Sequence, residues 1–182
     1  MLVDTSLPTD LHKVKEASIL ANELGFDGIF AAEVTADPFV TSAVASQHVQ
    51  NMDLGTKIAV AFARTPMTTA YAAYNLGELS DGRFHRGLGT QVRAHVTRRF
   101  SMPWSQPSAR MREYVVAMKE IWSSWRTGDP LAFSGEFYEH SLMTEYFVPP
   151  TTTAAPPPVW LAAVGPRLAE VAAEVADGIG LH

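Results

Sequence analysis

Glu78 to Gln91 reads ELSDGRFHRGLGTQ. Its first residues close a helix that follows Pro66, Asp81-Gly82 turns the chain, and Arg83–Gly89 has the length of a strand. The same step, helix then Asp-Gly then apolar strand, occurs at Asp27-Gly28 before IFAA (29–32) and at Asp177-Gly178 before IGLH (179–182). Asp-Gly alone is a common turn. Three occurrences at the same point of a helix-to-strand step mark a repeated βα unit, and alternating units imply a parallel sheet with helices outside it. An open dinucleotide-binding sheet is disfavoured, because in GLGTQV (87–92) Val92 stands where the third glycine of the fingerprint belongs. The expected fold is therefore α/β, a TIM (β/α)8-type barrel. Such barrels take roughly 250 residues, and only about six strands are legible in this chain. The barrel is expected to be truncated after the sixth, with open edges near Val3 and Ile179.

Outward from this stretch, MLVD (1–4) reads as the first strand. A helix follows, capped by Thr9, with Leu11, Val14, Ala17, Ala21 and Leu24 at helical spacing and Gly25 closing it. A second helix is expected from Pro38 to about Asn51. TKIAVAF (56–62) is a β-branched apolar run suited to a strand buried on both faces. Residues 91–106 read as irregular. A long helix over 108–126 places Met111, Val115, Met118, Ile121 and Trp122 on one core-facing stripe. Residues 128–158, rich in Pro, Gly and Thr, read as an insertion in which LAFSGEFYEHSL (131–142) alternates like a hairpin. VWLAAVG (159–165) is a strand and 167–176 a helix. The whole of 1–182 reads as a single domain.

Of the 182 residues 47% are hydrophobic and 18% charged, and the formal net charge is −5. This balance is that of an ordinary globular domain and excludes a uniformly basic nucleic-acid binder. With no cysteine, disulfides, thiolate metal sites and thiol nucleophiles are excluded. No run approaches the roughly 20 apolar residues of a membrane span, and Asp4 falls where a leader's apolar core would begin. A cytoplasmic protein acting on a small molecule, with no nucleic acid or membrane partner, is the expectation. The open edges call for a homo-oligomer or another covering chain.

Seven of the 14 basic residues are the arginines at 83, 86, 93, 98, 99, 110 and 112, with no acid between Arg83 and Arg112. A solvated basic face is one reading of this run. An anion site is the other, since the guanidinium fork suits phosphate and carboxylate. RNA is a third reading, with few aromatics to support it. Glu33 ends an otherwise apolar strand where barrel active sites lie, and is the candidate catalytic carboxylate. His85, mid-strand, reads as packed or outward-facing, and His95 is the better histidine candidate. His12, His48 and His140 show no metal-ligand spacing, so no metal site is expected. No G-x-S-x-G elbow marks a serine nucleophile.

LGELSDGRFHRGLGTQ resembles the L-S-x-GRF-x-x-GLG segment of the bacterial luciferase-like superfamily of flavin- and deazaflavin-dependent enzymes. GFDGIFAAE, IAVAFARTPM, MREYVVAMKEIW, FSGEFY, PPVWLAAVGP and EVADG follow the superfamily's order and spacing from Val3 to the end. Within it, DPF, AVAFARTPM, QVRAHVTRRFSMPWS and AAVGP look like a subfamily of probable coenzyme F420-dependent oxidoreductases. The resemblance implies hydride transfer between coenzyme F420 and an organic substrate, with an FMN-dependent monooxygenase or a non-catalytic barrel fragment as alternatives. It implies that the third strand, Ala59, Val60, Ala61 and Phe62, supports the ring, often through a bulge or a non-proline cis peptide. Thr90, Gln91, Val92 and Arg93 would line the cofactor. Ala163, Val164 and Gly165 would offer amides to its phosphate at a helix N-terminus. Val34 stands where many relatives carry a histidine, which leaves Glu33 as the candidate for proton transfer.

Overall fold

A computed structural model describes residues 1–150 and 155–181; residues 151–154 of the insertion and His182, the last residue of the IGLH strand, lie outside the described residues. Six parallel strands form one sheet: β1 (Asp4–Ser6), β2 (Gly28–Ala31), β3 (Asp53–Val60), β4 (Phe84–Gly89), β7 (Val159–Ala163) and β8 (Gly178–Leu181), paired in that order. Between them run α1 (Leu11–Leu24), α2 (Pro38–Ser46), α3 (Pro66–Leu79), α4 (Pro107–Thr127) and α5 (Pro166–Val175). Sheet order equals chain order. With right-handed crossovers this winds every helix onto one face, whereas a doubly wound sheet must reverse its order somewhere. The result is a half-barrel, helices outside and a bare concave face inside. Among the described residues, β1 and β8 are each paired on one side only.

The repeated Asp-Gly step has a physical cause at two of its three positions. Asp27 Oδ2 accepts from the Val3 N–H at 2.6 Å while the Asp27 N–H donates to the Val3 carbonyl at 2.9 Å. Asp177 does the same to Val159, at 2.8 Å in both directions. Each aspartate thus ties the end of a helix to the start of the preceding strand. At the third position Asp81 and Gly82 both have positive φ, 52° and 81°, and form a plain left-handed turn.

Several boundaries differ from the sequence reading. Pairing begins at Asp4, not Met1, because the Asp27 clamp takes the Val3 amide and leaves Met1 and Leu2 exposed. Asp10, not Thr9, caps α1 by accepting from the His12 N–H. The second helix ends at Ser46, after which the chain bends and buries Val49 and Met52. β3 starts at Asp53, whose N–H donates to Asp27 O at 2.9 Å, and stops at Val60, where Ala61–Ala63 make a single 3-10 turn. Within 91–106, His95–Arg99 forms one π-helical turn.

The α4 stripe of Met111, Val115, Met118, Ile121 and Trp122 is buried as its spacing requires, each side chain worth about 1.5–3 kcal/mol. The hairpin of the insertion is present: β5 (Phe133–Ser134) pairs antiparallel with β6 (Glu139–His140). Glu113 of α4 pins its turn by accepting from the Glu136, Phe137 and Tyr138 amides at 2.9, 2.8 and 2.7 Å. Gly87 has a strict packing reason, since a Cβ there would overlap the Thr56 carbonyl of the neighbouring strand.

Arg86 points from β4 into the helix layer and is fully buried. Its Nη2 donates to the Pro157 carbonyl at 3.0 Å, and its guanidinium lies 4.2 Å from the centre of the Trp122 ring. Nε and Nη1 have no partner among the described residues. Burial pulls its pKa down to about 9, opposed by the charge of Asp177. Because the folded-state pKa lies below the unfolded one, the cost of burying this charge is fully present below pH 9 and fades only above it. Arg86→Met keeps the length and removes the charge, and is expected to stabilise the fold at pH 7 by about 1–3 kcal/mol. Urea unfolding checks this; a loss of stability would contradict it.

Candidate functional site

Two cavities lie at the concave side and the C-terminal rim of the half-barrel. The inner one, about 590 Å3, is lined by Phe30, Glu33, Lys57, His85, Trp160 and Ile179 among others. The outer one, about 960 Å3, is built from the loops after β4 and β7: Thr90, Val92, Arg93, Trp104, Val164, Gly165, Pro166 and Arg167. Ile58, Gln91 and Ala162 line both, and so form the waist between them.

Alternation along the strands explains the inner wall. Successive strand residues face opposite ways, so Phe84 and Arg86 turn to the helices and His85 to the inside. His85 Nε2 lies 3.2 Å from Asp53 Oδ2, and its ring meets Trp160 edge-on at 5.7 Å. Lys57 Nζ lies 3.8 Å from Asp4 Oδ2 and 5.2 Å from the centre of the Phe30 ring. Between Thr56 and Ala59 the register with β4 shifts: Thr56 pairs with Arg86 and Ala59 with Leu88. β3 thus carries one extra residue there, and the Lys57–Ile58 peptide within it is cis. The wall is therefore Thr56, Lys57 and Ile58. Ala59, Val60, Ala61 and Phe62 lie behind it, buried, and line neither cavity. Ala163 is likewise buried behind the rim, whereas Val164 and Gly165 reach the outer cavity.

Glu33 follows β2 at the rim. Its Oε2 accepts from the Val60 N–H at 2.7 Å and from Arg64 Nη1 at 2.6 Å. Arg64 also donates through Nη1 to the Val60 carbonyl at 3.2 Å and through Nη2 to Asp37 Oδ2 at 2.6 Å. One guanidinium thus joins the ends of β2 and β3 to Asp37, the residue that caps α2 by accepting from the Phe39 and Val40 amides. Burial opposes ionisation of Asp37 but is outweighed by Arg64 and those two amides, so its pKa is lowered. Burial likewise opposes the charge on Arg64, and Glu33 and Asp37 together raise its pKa. Both bonds to Glu33 fall on Oε2; Oε1 accepts none among the described residues.

The arginine run does not assemble into one patch. Arg83 donates to the Met52 and Val49 carbonyls at the opposite end of the sheet, and Arg86 is buried behind it. Arg99 donates to the Val34 carbonyl at 2.6 Å, Arg110 is in the core, and Arg112 pairs with Glu174 on the surface. Arg93 alone of the seven lines a cavity; Arg98 is exposed and lines neither. His95 is exposed and also lines neither, whereas His85 faces the inner cavity. Arg167, Lys57 and Trp104 join the site without having been singled out in the sequence.

The outer cavity suits an anion. The ten-residue α5 starts at Pro166, and among the described residues no side chain caps its N-terminal amides. Gly165 before it has φ +109°, a conformation that favours glycine. Uncapped amides and the helix dipole favour negative charge at this end, and Arg93 and Arg167 line the same cavity. Among the described residues, no three His, Cys, Asp or Glu side chains come together as a metal site, and no helix is long and apolar enough to cross a membrane.

Comparison with known proteins shows which family the chain resembles. The family model for luciferase-like monooxygenases matches residues 2–182. An uncharacterized protein of Mycobacterium tuberculosis is 46% identical over 97% of this chain, which covers 52% of that protein. A putative coenzyme F420-dependent oxidoreductase of the same organism is 32% identical over 87% of this chain, which covers 47% of it. The crystal structure of a monooxygenase of Streptomyces bottropensis superposes with a TM-score of 0.82 at 22% identity, over 98% of this chain and 59% of that one, a likeness of fold. The chain spans about half the length of the curated relatives it matches.

Asn caps helices as well as Asp does, so Asp37→Asn isolates the charge that Arg64 sees. The folded-state pKa of Asp37 is lowered, so its contribution is complete above the ordinary carboxylate range and is lost as pH falls through the lower folded value. For a half-exposed pair the gap is about 0.5–1 kcal/mol at pH 7. Urea midpoints are expected to show it closing towards pH 3; a gap that stays constant would contradict the pairing.

Proposed function

The chain belongs to the luciferase-like monooxygenase family, and from that membership we propose that it serves a redox enzyme that transfers a hydride between coenzyme F420 and an organic substrate. The observation that carries this reading is the uncapped N-terminus of α5 on a cavity that Arg93 and Arg167 also line and that meets the inner one at Ile58, Gln91 and Ala162. The name borne by the 32%-identical mycobacterial relative supports F420 as the cofactor. Side chains cannot store a hydride, so a bound deazaflavin would supply the redox chemistry.

The chain's own residues do the rest. Arg93, Arg167 and the first free amides of α5 bind the anionic phosphate and glutamate tail. Ile58 and Ala162 present apolar surface at the waist, where a planar ring can rest, and Gln91 offers polar atoms beside it. Val92, Trp104 and Val164 add apolar surface to the outer cavity. Glu33, ion-paired through Oε2, keeps Oε1 as an acceptor for a hydroxyl or a proton of the substrate in the inner cavity. FMN is the competing cofactor, for the family also contains flavin monooxygenases.

Deazaflavin fluorescence titration tests the assignment. Arg93→Ala and Arg167→Ala are each expected to raise the Kd for F420 about tenfold, which is 1.4 kcal/mol, with a smaller effect at high salt. Arg98→Ala, whose side chain lines neither cavity, is expected to leave it unchanged. Unaltered affinity in both cavity variants would overturn the assignment, and tighter binding of FMN than of F420 would shift it to the flavin reading.

A further inference from the structure

Arg110, in the first turn of α4, is only 6% exposed and makes no ion pair among the described residues. A buried charge without a counterion is costly unless its donors and its face are engaged. Here they are. Nε donates to Tyr138 Oη of the hairpin at 2.8 Å, and Nη1 donates to the Pro103 carbonyl at 2.7 Å. The guanidinium carbon lies 4.5 Å from the centre of the Phe62 ring and 5.5 Å from that of Tyr138. Cation–π attraction at such distances partly replaces the lost hydration.

One side chain thereby gathers three segments that are far apart in sequence: the turn after β3, the loop before α4 and the inserted hairpin. Trp104 follows Pro103 directly. Its ring meets Phe62 at 5.9 Å and 77°, and it lines the outer cavity. Its neighbour's carbonyl and its aromatic partner are thus both held by the same guanidinium. Lysine, a single point charge, cannot make both hydrogen bonds in fork geometry and stack as well.

We propose that Arg110 is a positioning residue: it fixes Trp104 as the wall of the outer cavity, and so sets cofactor affinity without touching the cofactor. The second half of this statement rests on the F420 reading above; the first does not. The Tyr138 contact makes the hairpin part of the device, so that the insertion braces the cavity wall from behind.

The test labels the four tryptophans with 5-fluorotryptophan, assigns Trp104 by Trp104→Phe, and reads fluorine spectra and F420 titrations on the same samples. Arg110→Met is expected to shift and broaden the Trp104 resonance, to leave that of Trp160 on β7 in place, and to raise the F420 Kd about tenfold. Arg110→Lys is expected to fall between wild type and Arg110→Met in both readouts. A merely structural role would move all the resonances together with the melting temperature, and that result would overturn the proposal. So would a Trp104 resonance that stays where it was, or one that moves with no change in Kd. Should Arg110→Met fail to fold, Tyr138→Phe removes a single hydroxyl acceptor, and the same two readouts are expected to move, with a two- to threefold rise in Kd. If wild type binds no F420, the cofactor reading falls, and the position of the Trp104 resonance alone decides whether Arg110 holds the wall.

Discussion

The guanidinium of Arg64 joins the parts of the molecule that make a site. It donates to Glu33 after β2, to the Val60 carbonyl at the end of β3 and to Asp37 at the start of α2. A carboxylate left alone at the end of an apolar strand would carry an uncompensated desolvation cost. Paired in this way, Glu33 becomes a fixed charge at the rim with one oxygen uncommitted. The same three contacts lie where β3 stops. A register shift then brings Lys57 and Ile58 to the wall and sends Ala59–Phe62 behind it.

The winding of the sheet supplies the second constraint. Because strand order follows chain order, every helix is on one face and the loops after β2, β4 and β7 converge on the C-terminal rim. Glu33, Gln91 and Gly165 each stand two residues past a strand, on three different connections. Their nearness in space follows from the winding, and their spacing in sequence gives no sign of it. The aspartate clamps at Asp27 and Asp177 fix the opposite ends of the strands, which leaves the rim loops free to carry polar groups.

Much of this was legible in the chain. The alternation of helical and strand periods gave the barrel class, and the break at Glu33 marked a rim residue. Gly165 followed by Pro166 marked the helix start that now faces the outer cavity. The arginine run misled because adjacency along the chain is not adjacency in space: Arg83 precedes β4 and reaches back to Met52 and Val49, Arg86 leaves the strand into the helix layer, and Arg110 and Arg112 leave one helix in different directions. His85 could have been placed from the same alternation, since Phe84 and Arg86 flank it on the buried side. Arg64 lies within IAVAFARTPM, but its partners are 31 and 27 residues away, and no local pattern reports a pairing of that range.

In the proposed function the outer cavity reads the charged tail of a deazaflavin through the N-terminus of α5. The decisive comparison is between F420 and the same deazaflavin chromophore lacking its phosphate and glutamate tail. Wild type is expected to bind F420 at least about tenfold more tightly than the tail-less compound, and added salt to narrow the difference. Equal affinity for the two would contradict it.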